Sequence, residues 1–273
     1  MKDKSYRKTT SSKKNFPKIM TEMKGIHGVL LNQKKLDTDT VKLNFKKLER
    51  ILLNNRFTPD QEEAIFELCG NDLHKFREYL DESSRILEAE YKQKTVEKKK
   101  IDLRCIKKTI LFHKFPKLIK DEIAAVGITQ RDTVLFIGSG AFPLSAMIYN
   151  KISGCTVNCL EIMKDRVKES RELMSTLGLK TAINIQQKHG QSFKDNNYTA
   201  VVVALQIENK KAVLEHIAQV MPSGTLVLCR VQSGLGTIFN ADQENMSIYD
   251  MFDFEARVSK ADNIITTLIL RTK

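Results

Sequence analysis

The sequence predicts an α/β fold: a doubly wound parallel sheet with an antiparallel C-terminal hairpin, preceded by an α-helical N-terminal domain. Three observations predict it. From residue 133 onward, short apolar runs alternate with helical patterns, the signature of βα units in a parallel sheet. The first run, Thr133-Val134-Leu135-Phe136-Ile137, enters the glycine turn Gly138-Ser139-Gly140 and then a helix, an arrangement that lets backbone approach a bound nucleoside closely. Charge is also split along the chain. Residues 1–120 hold 29 Lys/Arg against 17 Asp/Glu and residues 121–273 hold 16 against 16, so the whole net charge of +12 lies in the first part, a compositional boundary signal.

Taken in order, residues 1–15 are basic and polar with almost nothing to bury, which predicts a disordered tail. Its single aromatic, Tyr6, makes no interleaved series to stack bases, so a solubilising tail is read ahead of a nucleic-acid arm. From residue 16 to 126 the signals are helical. Thr58-Pro59-Asp60-Gln61-Glu62 opens a helix: Thr58 can cap free N–H groups, Pro59 suits the first turn, and the acids oppose the dipole. Cys69-Gly70 supplies the stop and Asn71-Asp72 starts another helix, in which Leu73, Phe76, Leu80 and Leu87 favour one face. Lys98-Lys99-Lys100 reads as a solvated helix end. A further helix is expected over 102–126, interrupted at Pro116 and closed by Gly127. The expected domains are a tail (1–15), a helical domain (16–126) and a sheet domain (127–273).

Within the sheet domain, strands are expected at 133–138, 155–160, 182–187, 199–205 and 224–231, and helices at 143–151, 163–177 and 209–220. Two more strand-like runs, 252–258 and 264–270, flank the turn-like Ser259-Lys260-Ala261-Asp262-Asn263 and form the closing hairpin. A Rossmann-like sheet ending in such a hairpin is the usual form of class I S-adenosylmethionine-dependent transferases. No internal repeat is present.

The glycine turn narrows the ligand. Gly138 and Gly140 keep side chains out of the way with polar Ser139 between them, but Ala141-Phe142-Pro143 follows, and no glycine completes G-x-G-x-x-G. The expected cofactor is therefore S-adenosylmethionine and not NAD, bound by Gly138, Ser139, Gly140, Phe142 and Pro143. A ribose offers two hydroxyls that one carboxylate can accept together. Glu161 stands at the end of the next strand, about 20 residues beyond the glycines, where that acid is expected.

Composition excludes several classes. No run approaches the ~20 apolar residues of a membrane span, and the basic N-terminus has no apolar segment behind it, so neither insertion nor secretion is indicated and a cytoplasmic protein is expected. Five scattered cysteines (Cys69, Cys105, Cys155, Cys159 and Cys229) lack a CxxC spacing, which fits reduced thiols and no metal site. The histidines, His27, His74, His113, His189 and His216, show no ligand spacing. His216 falls in an amphipathic helix, and Tyr149 is read as packing ahead of facing the site.

From Ile137 to Asn240 the sequence resembles the nicotianamine synthase family, most closely its bacterial branch of staphylopine-type opine metallophore synthases. The matching pieces are Gly138-Ser139-Gly140-Ala141-Phe142-Pro143-Leu144, Lys211-Ala212-Val213-Leu214-Glu215-His216-Ile217, Met221-Pro222-Ser223-Gly224, Leu228-Cys229-Arg230 and Gly234-Leu235-Gly236-Thr237-Ile238-Phe239-Asn240. Upstream the likeness is looser, through Phe112-His113-Lys114-Phe115-Pro116 and Asp121-Glu122, and the family's tyrosine-rich segment there is missing.

The resemblance implies transfer of the 3-amino-3-carboxypropyl (aminobutanoyl) group of S-adenosylmethionine, the co-substrate, to the amine of a small amino acid such as histidine. The product would be a metallophore precursor, so metal binding would belong to the product. Sulfonium activates all three carbons bonded to it, and the pocket selects one by granting it alone a near-attack distance of ~3–3.5 Å. An ammonium acceptor must first lose a proton, and Glu122 is the expected catalytic carboxylate that orients it and takes that proton, with an exposed acid at a helix end equally open. The substrate carboxylates need a cationic or N–H partner, from Arg230 or the backbone of Gly234–Gly236, with a structural pairing of Arg230 to a core acid equally open. Gln191, after the third strand, is expected at the adenine edge, and Ala204-Leu205-Gln206, with Leu205 central, at the meeting of cofactor and substrate.

The absence of Asn-Pro-Pro-Tyr or Asp-Pro-Pro-Tyr at 204–207 argues against methylation of planar nitrogens. The alternative retained is a methyltransferase acting on RNA or protein, docked through basic residues 1–120. A third class is a binding protein that keeps the cofactor fold without turnover. The expected partner is thus an amino acid acceptor, with nucleic acid the weaker choice, no membrane, and a homodimer left open.

Overall fold

The computed structural model describes residues 9–10, 15–32, 37–70, 73–106, 112–207, 209–232, 235, 250–258 and 265–273. They divide into two compact units, the second beginning at Tyr91.

The first unit is helical. It contains β1 (Thr9–Thr10), α1 (Phe16–Asn32), α2 (Thr38–Asn54), β2 (Asn55–Arg56), α3 (Pro59–Cys69) and the first part of α4 (Leu73–Lys98). Thr9–Thr10, within the expected tail, pairs in parallel with β2. The remaining tail residues, 1–8 and 11–14, lie outside the described residues. Asp37 caps α2 by accepting from the N–H groups of Asp39 and Thr40; the Thr40 hydroxyl first, and then these N–H bonds, hold its carboxyl below the usual range. At α3 the expected start is a full capping box: Thr58 accepts from Gln61 N, Gln61 accepts from Thr58 N, and Pro59 occupies the first turn. Gly70 ends the helix at φ +43°, and Asn71-Asp72 lie outside the described residues. Phe76, Leu80 and Leu87 are buried and Leu73 half-buried, as their spacing requires, and Lys98–Lys100 are exposed.

The second unit holds the rest of α4, α5 (Leu103–Ile106), α6 (Phe115–Val126) and the sheet. Pro116 does not interrupt a helix; it lies in the first turn of α6, where its missing N–H costs nothing. Gly127 closes α6 at φ +71°, donating to Ile123 O. The sheet is built from β3 (Thr133–Ile137), α7 (Leu144–Ser153), β4 (Thr156–Glu161), α8 (Lys164–Thr176), β5 (Ile183–Gln187), β6 (Ala200–Val203), α9 (Lys210–Val220), β7 (Leu226–Gln232), β8 (Phe252–Val258) and β9 (Ile265–Thr272). These bounds lie within a few residues of the expected ones.

The strand order is β5-β4-β3-β6-β7-β9-β8. The first five strands pair in parallel wherever register is defined, and β8 with β9 antiparallel. The turn expected at 259–263 lies outside the described residues. Both faces of the central strands are covered, which is why β3 reads as a continuous apolar run. Val134 and Phe136 face a core with Ile119 and Tyr149, while Leu135 and Ile137 face one with Leu214 and Ile217. Truncating fully buried Leu135 or Leu214 to alanine would cost about 2–5 kcal/mol. Because the order reverses at β3, the glycine turn sits at the switch point where crevices open in such sheets.

Candidate active site

The turn after β3 shows why two glycines are needed, and each is needed differently. Gly138 and Gly140 adopt φ of +85° and +71°, which side-chain-bearing residues rarely adopt. A Cβ on Gly138 would lie 2.2 Å from Ile207 Cδ1, so protein fills that approach; a Cβ on Gly140 would meet nothing within 4 Å, so that approach is open. The N–H groups of Gly138 and Ser139 both donate to Leu160 O, at 2.8 and 3.3 Å. Ser139 is buried.

Glu161 reaches the turn from the end of β4, as expected. Its Oε2 accepts from Gly140 N at 2.9 Å and its Oε1 from Met163 N at 2.9 Å. Each carboxylate oxygen can accept more than one bond, so acceptor capacity remains for ribose hydroxyls. Beside it stand Ile162 and Met163, 48% and 53% exposed, an apolar pair that sequence reasoning missed. Their position immediately after the strand-terminal acid was the available signal.

The other expected cofactor residues divide. Phe142 turns into the protein core, 5.6 Å from Tyr91 and 6.2 Å from Phe112 between ring centroids, so it anchors the turn from below and does not line the open approach. Pro143 is buried and precedes α7. Gln191 is exposed on the loop after β5, and neighbouring Gly190 packs so closely that a Cβ there would lie 2.6 Å from Ile137 Cγ2. Leu205 is half-buried and its carbonyl accepts from Lys210 Nζ at 2.8 Å.

The two expected catalytic residues meet each other. Arg230 on β7 donates from Nε to Glu122 Oε1 at 2.9 Å and from Nη2 to Glu122 Oε2 at 2.8 Å, the two-pronged geometry that suits guanidinium and carboxylate. Tyr149 Oη adds a donor at 2.7 Å to Oε2, and Thr267 Oγ1 another at 2.5 Å to Oε1. Arg230 Nη1 donates to Ser145 Oγ at 2.8 Å, and the guanidinium lies 5.9 and 5.5 Å from the ring centroids of Phe115 and Phe136. Glu122 is therefore not an exposed acid at a helix end: its side chain is 0% exposed and that of Arg230 3%. Arg230, of its two expected roles, takes the pairing with a core acid; Gly234 and Gly236 lie outside the described residues.

The electrostatics follow from burial. Desolvation alone would depress the Arg230 pKa, but the charge of Glu122 outweighs it and raises it. Burial, reinforced by the same carboxylate, pushes Tyr149 well above the usual phenol range. Tyr149, read from sequence as packing, is thus a polar member of this cluster. It and Ser145 lie on α7, the helix that leaves the glycine turn, so the cluster sits within two helical turns of it.

The remaining residues do ordinary work. His216 Nε2 donates at 2.8 Å to Phe193 O, and its ring stacks edge-on at 4.8 Å against the Phe193 ring. His113 is half-buried. Burial raises the thiols of Cys69, to about 11, and of Cys155 and Cys159. Among the described residues no three His, Cys, Asp or Glu side chains form a metal-ligand group, and no helix is long and apolar enough to cross a membrane.

Comparison with known proteins extends the likeness beyond the glycine turn. Residues 19–273 match the family model described as nicotianamine synthase protein. The chain is 31% identical over 153 residues to an L-histidine 2-aminobutanoyltransferase of Pseudomonas aeruginosa strain UCBPP-PA14, covering 56% of this chain and 57% of that protein. It is 26% identical over 126 residues to the Yersinia pestis protein of the same name, covering 46% and 47%. These matches span about half the length of the curated relatives. Among solved structures, MtNAS in complex with MTA and tNA superposes with a TM-score of 0.79 at 20% identity, covering 94% of this chain and 98% of that one. A mutant of MtNAS in complex with S-adenosylmethionine gives the same TM-score over 92% and 97%. At that identity the likeness establishes the fold, helical part included. With the family model matching nearly the whole chain, the protein belongs to the nicotianamine synthase family.

Proposed function

We propose that the protein is an S-adenosylmethionine-dependent transferase that moves the aminobutanoyl group onto the amine of a small amino acid, histidine foremost, as a step in making a metallophore of nicotianamine or opine type. The observation that carries this reading is the pairing, in one unit, of an open glycine turn holding Glu161 with a buried Glu122 cluster that takes in Ser145 and Tyr149 of the helix leaving that turn. The relatives named L-histidine 2-aminobutanoyltransferase support histidine as acceptor, and the S-adenosylmethionine complex of MtNAS supports that co-substrate.

The residues take these roles. Gly140 leaves room for the cofactor backbone, Glu161 accepts from the ribose hydroxyls, and Ile162 and Met163 offer the adenine an apolar platform. Leu205 and Ile207 form the floor where sulfonium and acceptor meet. Gln191 meets the adenine edge, and Phe142 holds the turn from below. Glu122 receives the acceptor ammonium, which replaces one of the hydroxyl donors, Tyr149 or Thr267, on its carboxylate. Arg230 keeps that carboxylate in position.

The amine nitrogen, its proton passed to Glu122, attacks the carbon of the aminobutanoyl chain bonded to sulfur. That carbon–sulfur bond breaks, sulfur keeps the electron pair, and methylthioadenosine leaves. The setting is cytoplasmic, where S-adenosylmethionine and amino acids are present together.

The test is mass spectrometry of small molecules formed when the purified protein meets S-adenosylmethionine and mixed amino acids, with both enantiomers of histidine included. Methylthioadenosine with an aminobutanoyl adduct is expected. S-adenosylhomocysteine with a methylated product would overturn the reading in favour of a methyltransferase.

A further inference from the structure

Lys210 is a cation in a place that demands a reason. It opens α9, is 7% exposed, and donates to two backbone carbonyls: Leu205 O at 2.8 Å and Arg230 O at 2.8 Å. Those carbonyls stand on different segments. Val203 and Cys229 are the last register partners of β6 and β7, so Leu205 and Arg230 lie just beyond the point where the two strands stop pairing. Parallel strands part at this end to form the ligand crevice. Lys210 bridges the gap with an ammonium where a backbone bond can no longer reach.

The surrounding loop is held from other sides as well. Ala204 N donates to Ile137 O at 3.0 Å, which ties the loop to β3. Asn209 sits at φ +49°, a conformation that asparagine tolerates at some cost, and its side chain caps α9 through Ala212 N. That turn aims Lys210 back beneath the loop. At the loop's far end, Ile207 lies against Gly138, so closely that one added Cβ would meet it at 2.2 Å. The same ammonium that fixes Leu205 also holds the backbone of Arg230, whose side chain carries Glu122.

We propose that Lys210 is a positioning residue: its ammonium sets the loop at 204–207 over the glycine turn and ties it to the Arg230–Glu122 pair, and so keeps the acceptor amine, and not water, at the reacting carbon of the sulfonium. This rests on the transferase reading above. A misplacement of about 1 Å costs as much as 100-fold in rate, and a loosened loop admits water. Water attacking the same carbon forms a carbon–oxygen bond as the carbon–sulfur bond breaks. It gives homoserine and methylthioadenosine, with the proton going to solvent.

The experiment compares the full-length protein with Lys210→Met, which keeps the length and loses the donors, and with Lys210→Arg, which keeps a cation. One arm needs no reaction: amide hydrogen exchange read by mass spectrometry over 204–207. Exchange in Lys210→Met is expected to quicken about tenfold there and not in β3 or β4. The second arm is the ratio of amine adduct to methylthioadenosine, expected near one in the parent and below one in Lys210→Met, homoserine making up the difference. In that variant kcat falls about 10- to 100-fold with less change in KM. Lys210→Arg recovers part of the ratio.

Unchanged exchange overturns the anchoring role whatever the reaction. Faster exchange with an unchanged ratio overturns the step from loop to the exclusion of water. A parent that forms no adduct overturns the transferase reading, and the exchange arm then decides the anchoring alone. If Lys210→Met does not fold, Ile207→Ala loosens the same contact at Gly138, and a ratio unchanged there overturns the proposal.

Discussion

Replacing Arg230 with methionine isolates what the buried ion pair contributes. Methionine fills much of the side-chain volume and removes every guanidinium N–H, including the two donors on Glu122 and the one on Ser145. Glu122, at 0% exposure, then keeps only the hydroxyls of Tyr149 and Thr267 against an unpaired charge. Breaking one side of a buried pair costs about 3–5 kcal/mol. At 1.4 kcal/mol per tenfold, the folded-to-unfolded ratio drops roughly 100- to 4,000-fold, a large share of the 5–15 kcal/mol typical of a domain.

The sequence has no tryptophan, so the assay is urea unfolding at pH 7 followed by far-ultraviolet circular dichroism. Arg50→Met is the control. Its 2.7 Å pair with Glu22 leaves the Arg50 side chain 58% exposed, and such pairs contribute about 0–1 kcal/mol. The double variant Glu122→Gln, Arg230→Met removes the stranded charge and should lose less than the two single losses added together. A loss in Arg230→Met no larger than that in Arg50→Met would refute the reasoning, because it would mean that the pair is solvated.

Three further outcomes follow from the same geometry. Gly138→Ala and Gly140→Ala should each lose about 1–2 kcal/mol from their positive φ. Only the second should leave Ile207 undisturbed while weakening S-adenosylmethionine binding by calorimetry, since its Cβ enters the open approach. Tyr149, whose folded pKa is raised by burial, contributes stability that is complete below the ordinary phenol value of about 10 and lost as pH rises beyond it. Tyr149 should therefore ionise only with unfolding, and Tyr149→Phe should abolish that component of the 295 nm titration. Glu161→Gln puts an amide NH2 against Gly140 N or Met163 N, and a tenfold or greater rise in the S-adenosylmethionine Kd is expected; an unchanged Kd would remove Glu161 from the site.

What could be read from the sequence was local. The apolar runs of β3 and β6, the Thr58 capping box and the stop at Gly127 are each determined within a few residues, and their element bounds came out within a few positions. Pro116 was misread because a proline that opens a helix and one that breaks it look alike until the residues before it are placed. The place of Glu161 at the end of β4 was legible because strand, turn and acid keep a fixed spacing; its bond to Gly140 N was not. Glu122 and Arg230 could each be named from the resemblance, but not as partners: they stand 108 positions apart, and Thr267 stands 145 from Glu122. Tyr149 looked like packing because its ring does pack; only the neighbour on another helix reveals the hydroxyl's task. Lys210 gave no signal at all, since a lysine in the first turn of a helix is ordinarily a surface residue.

The measurement that tests the central claim most directly follows the carbons of S-adenosylmethionine. The protein is given histidine with co-substrate carrying 13C either in the methyl group or in the four carbons of the aminobutanoyl chain, and the histidine-derived product is weighed. Transfer of the chain predicts a product heavier by four mass units only from the second preparation, with heavy methylthioadenosine only from the first. A product heavier by one unit from the methyl-labelled preparation, beside unlabelled S-adenosylhomocysteine, would contradict the account.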